Sequence, residues 1–260
     1  MNHVIRAIIV GSVIIGIGVA VLLVALGLND WSFSPHFTTE EFSSEEENTA
    51  LEIKLDAGKL KVEYHDEENI QISYPVASGY LTTISESGGK LTLEGNKRRW
   101  YAFHWGVDFP ETVVKIPKDK ISEVTVNLNA GMVELPDGSF DKVTVKLNAG
   151  TCNVGSVTEC KQFDVRLNAG ALNVSGVISE KFSCHVNAGS AKIQKIESYE
   201  SEIKLNAGTA NLGFVGSAED YNATVNVSAG SCNGLSDRTG GDKTITVKVN
   251  AGSVNVSFEG

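Results

Sequence analysis

Four basic side chains recur at nearly equal spacing: Lys146, Arg166, His185 and Lys204 are separated by 20, 19 and 19 residues. Cations at one position of a repeated unit line up as a row, and such a row holds an anionic polymer or lipid head groups. A second cluster is contiguous, because "NKRRWYAFHWGVDF" gathers Arg98, Arg99, Trp100, Tyr101, Phe103 and Trp105. Aromatic rings beside arginines hold sugars, lipid interfaces or peptides by stacking and cation–π contacts. Catalysis has no comparable support. The acids flanking the basic series, Asp164 and Glu202, are two repeats apart with Ser183 between them, too dispersed for a general acid and base pair. The five histidines are isolated, and GxxxxGK, GxGxxG and Cys-x-x-Cys are all missing. Four Asn-x-Ser/Thr sequons, at Asn173, Asn222, Asn226 and Asn255, arise mostly from the repeat itself. No enzyme activity, metal or cofactor is expected, and a net charge of -10 argues against a nucleic-acid partner.

The basic series belongs to a longer pattern. Asn-Ala-Gly occurs six times, with a Ser-Ala-Gly variant, and the glycines are Gly131, Gly150, Gly170, Gly189, Gly208, Gly230 and Gly252. Their spacings are 19, 20, 19, 19, 22 and 22 residues, the period of a solenoid whose coils bury their apolar faces only by stacking. Three residues before each glycine stand Leu128, Leu147, Leu167, Val186, Leu205, Val227 and Val249. Five before stand Val126, Val145, Val165, Cys184, Ile203, Val225 and Val247, and the position between is polar. That alternation is a half-buried strand. It resumes after the glycine, so each coil reads as strand, bend, short strand and variable turn. "LEIKLDAGKLKVEY" fits the same frame at Gly58, with Asp56 in place of Asn. The fold expected is all-β, a parallel β-helix with about 19 to 22 residues per coil. Residues 50–120 form irregular first coils and a cap, including the hairpin-like "YLTTISESGGKLTLEG", and 121–260 form the regular array.

Ahead of the body, Ala7 to Leu28 run for 22 residues without a charge, enough to cross a hydrocarbon core of ~30 Å as a helix. A cleaved signal peptide also fits, since Ala25 and Gly27 suit a peptidase, but its apolar region is normally ~7–15 residues. The expected anchor is 1–29, followed by an acidic tether over 30–49. Arg6 before the span and "TTEEFSSEEEN" after it place the N-terminus in the cytoplasm and the solenoid outside.

The N-terminal span, the "TVVKIPKD" strand and the tandem "VxLNAGxxNV" coils resemble the bacterial putative-adhesin family of β-strand-repeat domains. The resemblance covers roughly residues 50–260, rests on the repeat pattern, and implies a β-helical cell-envelope protein. Within that frame the four cysteines are expected as free thiols. Cys152 and Cys232 share a buried column four coils apart in chain order, ~19 Å at the usual strand spacing and beyond disulfide reach, and Cys184 takes a core position. Asn129, Asn148, Asn168, Asn187, Asn206 and Asn250 are expected to form an amide ladder, interrupted by Ser228, with its orientation left open. Asn is expected to tolerate left-handed angles, Ala to fit the inside of the corner, and Gly to supply positive φ.

Three surfaces follow. The basic row is either a docking strip for an anion or a solvated strand face relieved by Asp164 and Glu202. The aromatic and basic cluster is either a binding site or a plug for the membrane-proximal end of the core. Thr151, Ser190, Thr209, Ser231 and Ser253 make an uncharged face for carbohydrate or a second copy, and "VNVSFEG" leaves the last strand without an obvious cap. The function expected is a non-enzymatic, membrane-anchored, extracytoplasmic binding module for an envelope polymer, a surface partner or itself; the alternative is an accessory sensor of cell-envelope stress.

Overall fold

The computed structural model describes residues 37–77, 80–97 and 111–259. The span 1–29 lies outside them, and among the described residues no helix is long and apolar enough to cross a membrane. Twelve strands form one curled sheet. They are β1 (Thr38–Ser43), β2 (Ala50–Leu55), β3 (Gly58–His65), β4 (Gln71–Val76), β5 (Tyr80–Ser87), β6 (Lys90–Lys97), β7 (Glu111–Pro117), β8 (Glu123–Leu135), β9 (Gly138–Ser139), β10 (Lys142–Val215), β11 (Tyr221–Asn233) and β12 (Lys243–Glu259).

The tether was expected to be solvated to residue 49, yet β1 lies within it, paired antiparallel to β4 with Phe42 packed on the core. Phe42 and the buried Ser44 and Asn48 tie the segment to the body, Ser44 by exchanging hydrogen bonds with Ile70 and Asn48 by donating to Glu86. The stack is also less uniform than a parallel β-helix, because β1–β4, β4–β7 and β5–β6 are antiparallel. The β5–β6 hairpin turns on Gly88 and Gly89, with φ of 61° and 75°, the two positive values a two-residue turn of this twist needs. From β2 and β3 onward every pairing of the array is parallel.

The Asn-Ala-Gly corner explains why the repeats stack so closely. Each glycine has φ between 121° and 139°, a region that is essentially glycine-only. A Cβ on Gly170 would lie 1.8 Å from the carbonyl oxygen of Gly150, and one on Gly150 would lie 1.8 Å from that of Gly131. Backbone touches backbone down the whole column, so nothing larger than hydrogen fits. Asparagine contributes differently from the expectation: no Asn of the corners has positive φ, and the corner alanines from Ala130 onward are exposed, on the outside of the bend. The asparagine side chains face solvent and hydrogen-bond from coil to coil. Asn148 Nδ2 donates to Asn129 Oδ1 at 2.7 Å, Asn168 to Asn148 at 2.6 Å, Asn187 to Asn168 at 2.5 Å and Asn206 to Asn187 at 2.6 Å. Asp56 receives the first, from Asn129 at 2.9 Å.

The last two coils are stacked out of sequence order. β12 pairs with the final coil of β10 on one side and with β11 on the other, so Asn250 donates to Asn206 at 2.7 Å. Ser228 therefore stands at the end of the ladder and does not interrupt it. After Val215 a capped 3-10 turn, Ala218–Asp220, lifts the chain past one layer, and β12 returns to fill it. Phe258 of β12 closes the layer against Phe214 at 6.0 Å and Tyr221 at 5.6 Å. The terminal layer is thus β11, not "VNVSFEG". Part of its edge is covered, because Ala223 and Arg238 exchange backbone hydrogen bonds of 2.9 and 3.0 Å and Asp237 accepts from Val225 N at 2.6 Å.

Inside, the alternating columns are closed to water, and Phe163 stacks on Phe182 with centroids 5.8 Å apart. All four cysteines are free; Cys152, Cys160 and Cys184 are buried and Cys232 is partly so. The swapped order places Cys152 and Cys232 five layers apart, about 24 Å at ~4.8 Å per strand. Burial pushes the Cys152 and Cys184 thiols up to about 12.

Gly170→Ala should cost at least about 3 kcal/mol, whereas Gly88→Ala, with open space around it, should cost about 1–2 kcal/mol for its left-handed φ alone; urea unfolding of both variants reads the difference. The double variant Asn168→Ala/Asn187→Ala removes three rungs and should lower stability by about 1–3 kcal/mol, with equal melting as the contrary result. For the thiols, a folded pKa above the unfolded one means that stability is full below pH 9 and falls as pH rises from there towards about 12. Cys152→Ala/Cys184→Ala should flatten that alkaline loss in pH-dependent melting.

Candidate functional site: a basic row on the outer face

The strand before each corner turns one set of side chains outward, and stacking converts two of its positions into parallel columns. Four residues before the glycine, successive layers carry Lys54, Asn127, Lys146, Arg166, His185, Lys204, Lys248 and Asn226. Six before, they carry Glu52, Thr125, Thr144, Asp164, Ser183, Glu202, Thr246 and Thr224. Sequence reasoning brought Lys146, Arg166, His185 and Lys204 together but missed Lys248. It sits four before its glycine like the others, yet only the swapped coil order puts it beside Lys204.

Two carboxylates are shared among these cations. Asp164, 7% exposed, receives Arg166 Nη2 at 3.2 Å. Glu202 is the common partner of Lys204 at 2.6 Å, His185 at 3.4 Å and Lys248 at 3.8 Å. Hydrogen bonding from Lys204, and then from His185, holds the Glu202 carboxyl below the usual carboxylate range despite some burial. Lys146 is exposed and forms no ion pair among the described residues. From Lys146 to Lys248 there are four permanent cations against two carboxylates, an excess of two positive charges on a chain whose net charge is -10. The row ends abruptly at the other side of Asn127, where Glu52 and Glu94 bind Lys54 at 3.2 and 2.9 Å. The Glu202 pairs with Lys204 and Lys248 are exposed enough to add little stability, which leaves those ammonium groups available for exchange with an external anion, whereas the buried Asp164 carboxylate holds Arg166.

Arg98, Arg99, Trp100, Tyr101, Phe103 and Trp105 lie outside the described residues. The uncharged face beyond the corner is self-bonded: Asn173 donates to Asn153, Asn255 to Asn211 and Asn233 to Asn255, each at 2.9 Å, while Ser231 and Ser253 meet at 3.3 Å. Lys192 stands between those two runs of amides. Among the described residues no group of three or more His, Cys, Asp or Glu side chains could hold a metal ion.

Three solved structures similar to this chain illustrate the range. A "putative cell adhesion protein" from Clostridium sporogenes is 13% identical, with 86% of this chain and 100% of that chain covered and a TM-score of 0.36. A "putative adhesin" from Bacteroides fragilis is 11% identical, covering 86% and 99%, with a TM-score of 0.39. A "putative lipid binding protein" from Parabacteroides distasonis is 12% identical, covering 87% and 96%, with a TM-score of 0.34. No curated protein matches the sequence. The family model that matches, Toastrack DUF4097, spans residues 48–260, the whole stack from β2 to the last coil, and the chain belongs to the Toastrack DUF4097 family.

Proposed function

We propose that the chain is a non-enzymatic binding module, anchored by residues 1–29 in the cell membrane with its solenoid outside the cytoplasm, that captures an anionic envelope polymer along the basic row. The observation that carries this reading is the spacing of the cations. Lys146, Arg166, His185, Lys204 and Lys248 stand on consecutive layers, about 4.8 Å apart, with Asp164 and Glu202 as their carboxylate partners among the described residues. A polymer with anionic groups along its length meets several of these cations at once, and each contact raises the local concentration for the next. Lys146 gives the row an open first contact. Neutralising the excess also relieves the repulsion between adjacent like charges on neighbouring strands.

The test uses Lys146→Glu, Arg166→Glu and Lys204→Glu together. Wild-type chain should sediment with an anionic wall polymer in a salt-dependent way, because the Debye length shrinks from ~10 Å at 0.1 M to ~3 Å at 1 M. The triple reversal should weaken binding by at least about a hundredfold, from about 1 kcal/mol per basic residue lost near an anionic surface. Vesicles of phosphatidylglycerol, with phosphatidylcholine as control, separate a polymer ligand from a lipid one. Absence of salt-sensitive binding in both formats would remove this reading.

A further inference from the structure

Each coil turns a second time, and across three coils this other corner dips inward. Counted back from the following glycine, the tenth position is Cys160, Ser179 and Ser198, all small and all buried. They floor a groove of about 310 Å³. The eleventh position supplies one wall, Glu159, Ile178 and Glu197, and the ninth supplies the other, Lys161, Glu180 and Tyr199. Lys243 of β12 lengthens the second wall, tied in by Thr244 Oγ1 donating to Tyr199 O at 3.3 Å. Glu159 has a φ of 54°, and it falls in the coil that holds 20 residues where its neighbours hold 19. The extra residue is absorbed here, where Lys161 N and Gln162 N both donate to Asp141 O.

Ile178 and Tyr199 are 47% and 68% exposed, two of the four exposed large apolar side chains among the described residues, and both face this groove. The Tyr199 ring has neither a ring partner nor a cation over it among those residues. Around that apolar surface stand Glu159, Glu180 and Glu197, against Lys161 and Lys243. Lys161 is already engaged by Asp141 at 3.1 Å, and Lys243 lies 3.8 Å from Glu197. The balance is negative, so an anionic ligand is repelled. The walls are side chains, and the backbone groups of β10 and β12 are committed to the sheet, so a peptide finds no strand edge here. A ligand that suits the groove has an apolar face for Tyr199 and Ile178, hydroxyl donors for carboxylates, and no negative charge. Sugar rings have that division between face and rim.

We propose that this groove binds a neutral oligosaccharide, one ring face lying on Tyr199 and its hydroxyls donating to Glu180 and Glu197. A chain of rings laid along the solenoid axis meets equivalent positions at each layer, at intervals of ~4.8 Å. The site is separate from the basic row and does not rest on it.

The experiment is isothermal titration of the full-length chain, in a detergent without a sugar head group, with chitotetraose, cellotetraose and maltotetraose. At least one should bind saturably, with affinity little changed by raising the salt and unchanged by the triple reversal in the basic row. Tyr199→Ala should weaken that binding about tenfold or more, as loss of a central aromatic anchor does. Should Tyr199→Ala lower the melting temperature, Glu180→Gln, equal in size, provides the same reading. Binding of none of the three sugars at millimolar concentration overturns the proposal, as does binding indifferent to both variants. Uptake of tetralysine without any sugar also overturns it and assigns the groove to a cationic peptide.

Discussion

The structure depends on one contact, the approach of each corner glycine to the carbonyl oxygen of the glycine one layer below. At 1.8 to 2.1 Å from a notional Cβ, that approach admits no side chain, and the accompanying φ admits no other residue without strain. Because backbone meets backbone at every layer, the coils share one register from Gly58 to Gly230. Register then fixes everything outside the corner. The apolar positions three and five before the glycine close the core, the asparagine amides align to bond, and any outward position becomes a straight column. A contact with no chemical function of its own thereby makes a ruler on which functional groups are laid out at constant spacing.

That ruler was legible in the sequence, and the order of its marks was not. Glycine spacing and the alternation of Val, Leu and Ile with polar residues identify the coil, its corner and its buried face without reference to neighbours. Stacking order is a different matter, since Leu205, Val227 and Val249 occupy one column and any of the three fits against another. The order is settled by the 22-residue spacings, by the turn at Ala218–Asp220 and by the packing of Phe258 on Phe214 and Tyr221. Those are long-range matters that a repeat pattern does not encode. The role of Phe42 was hidden for a similar reason, because its acidic neighbours describe the outer face of β1 and say nothing of the inner one.

The basic row shows the same division. Its membership up to Lys204 follows from spacing alone, but its charge depends on which side chains share a carboxylate. Glu202 serves three cations and Asp164 serves one, an allocation set by the layers on either side. The second-corner groove was less legible still. Its walls alternate acids, bases and apolar residues and so resemble an ordinary turn, while its floor of Cys and Ser carries no apolar alternation to mark it as buried.

Core volume links the two corners. In the layer of Phe140 the seventh position before the glycine is Val143, whereas the layers of Cys160 and Ser179 carry Phe163 and Phe182 there. A large side chain at one site thus accompanies a small one at the other, which keeps the interior filled while the wall retreats at the second corner. In the layer of Ser198 the matching residue is Ser201, also buried, so volume is given up at both sites. In the layers of Cys160 and Ser179 the core has moved its bulk towards the first strand, and the groove continues over the layer of Ser198, where it has not. The glycine column is what permits this: with register held at the opposite corner, substitutions at the second corner reshape the surface without displacing the columns that face the other way.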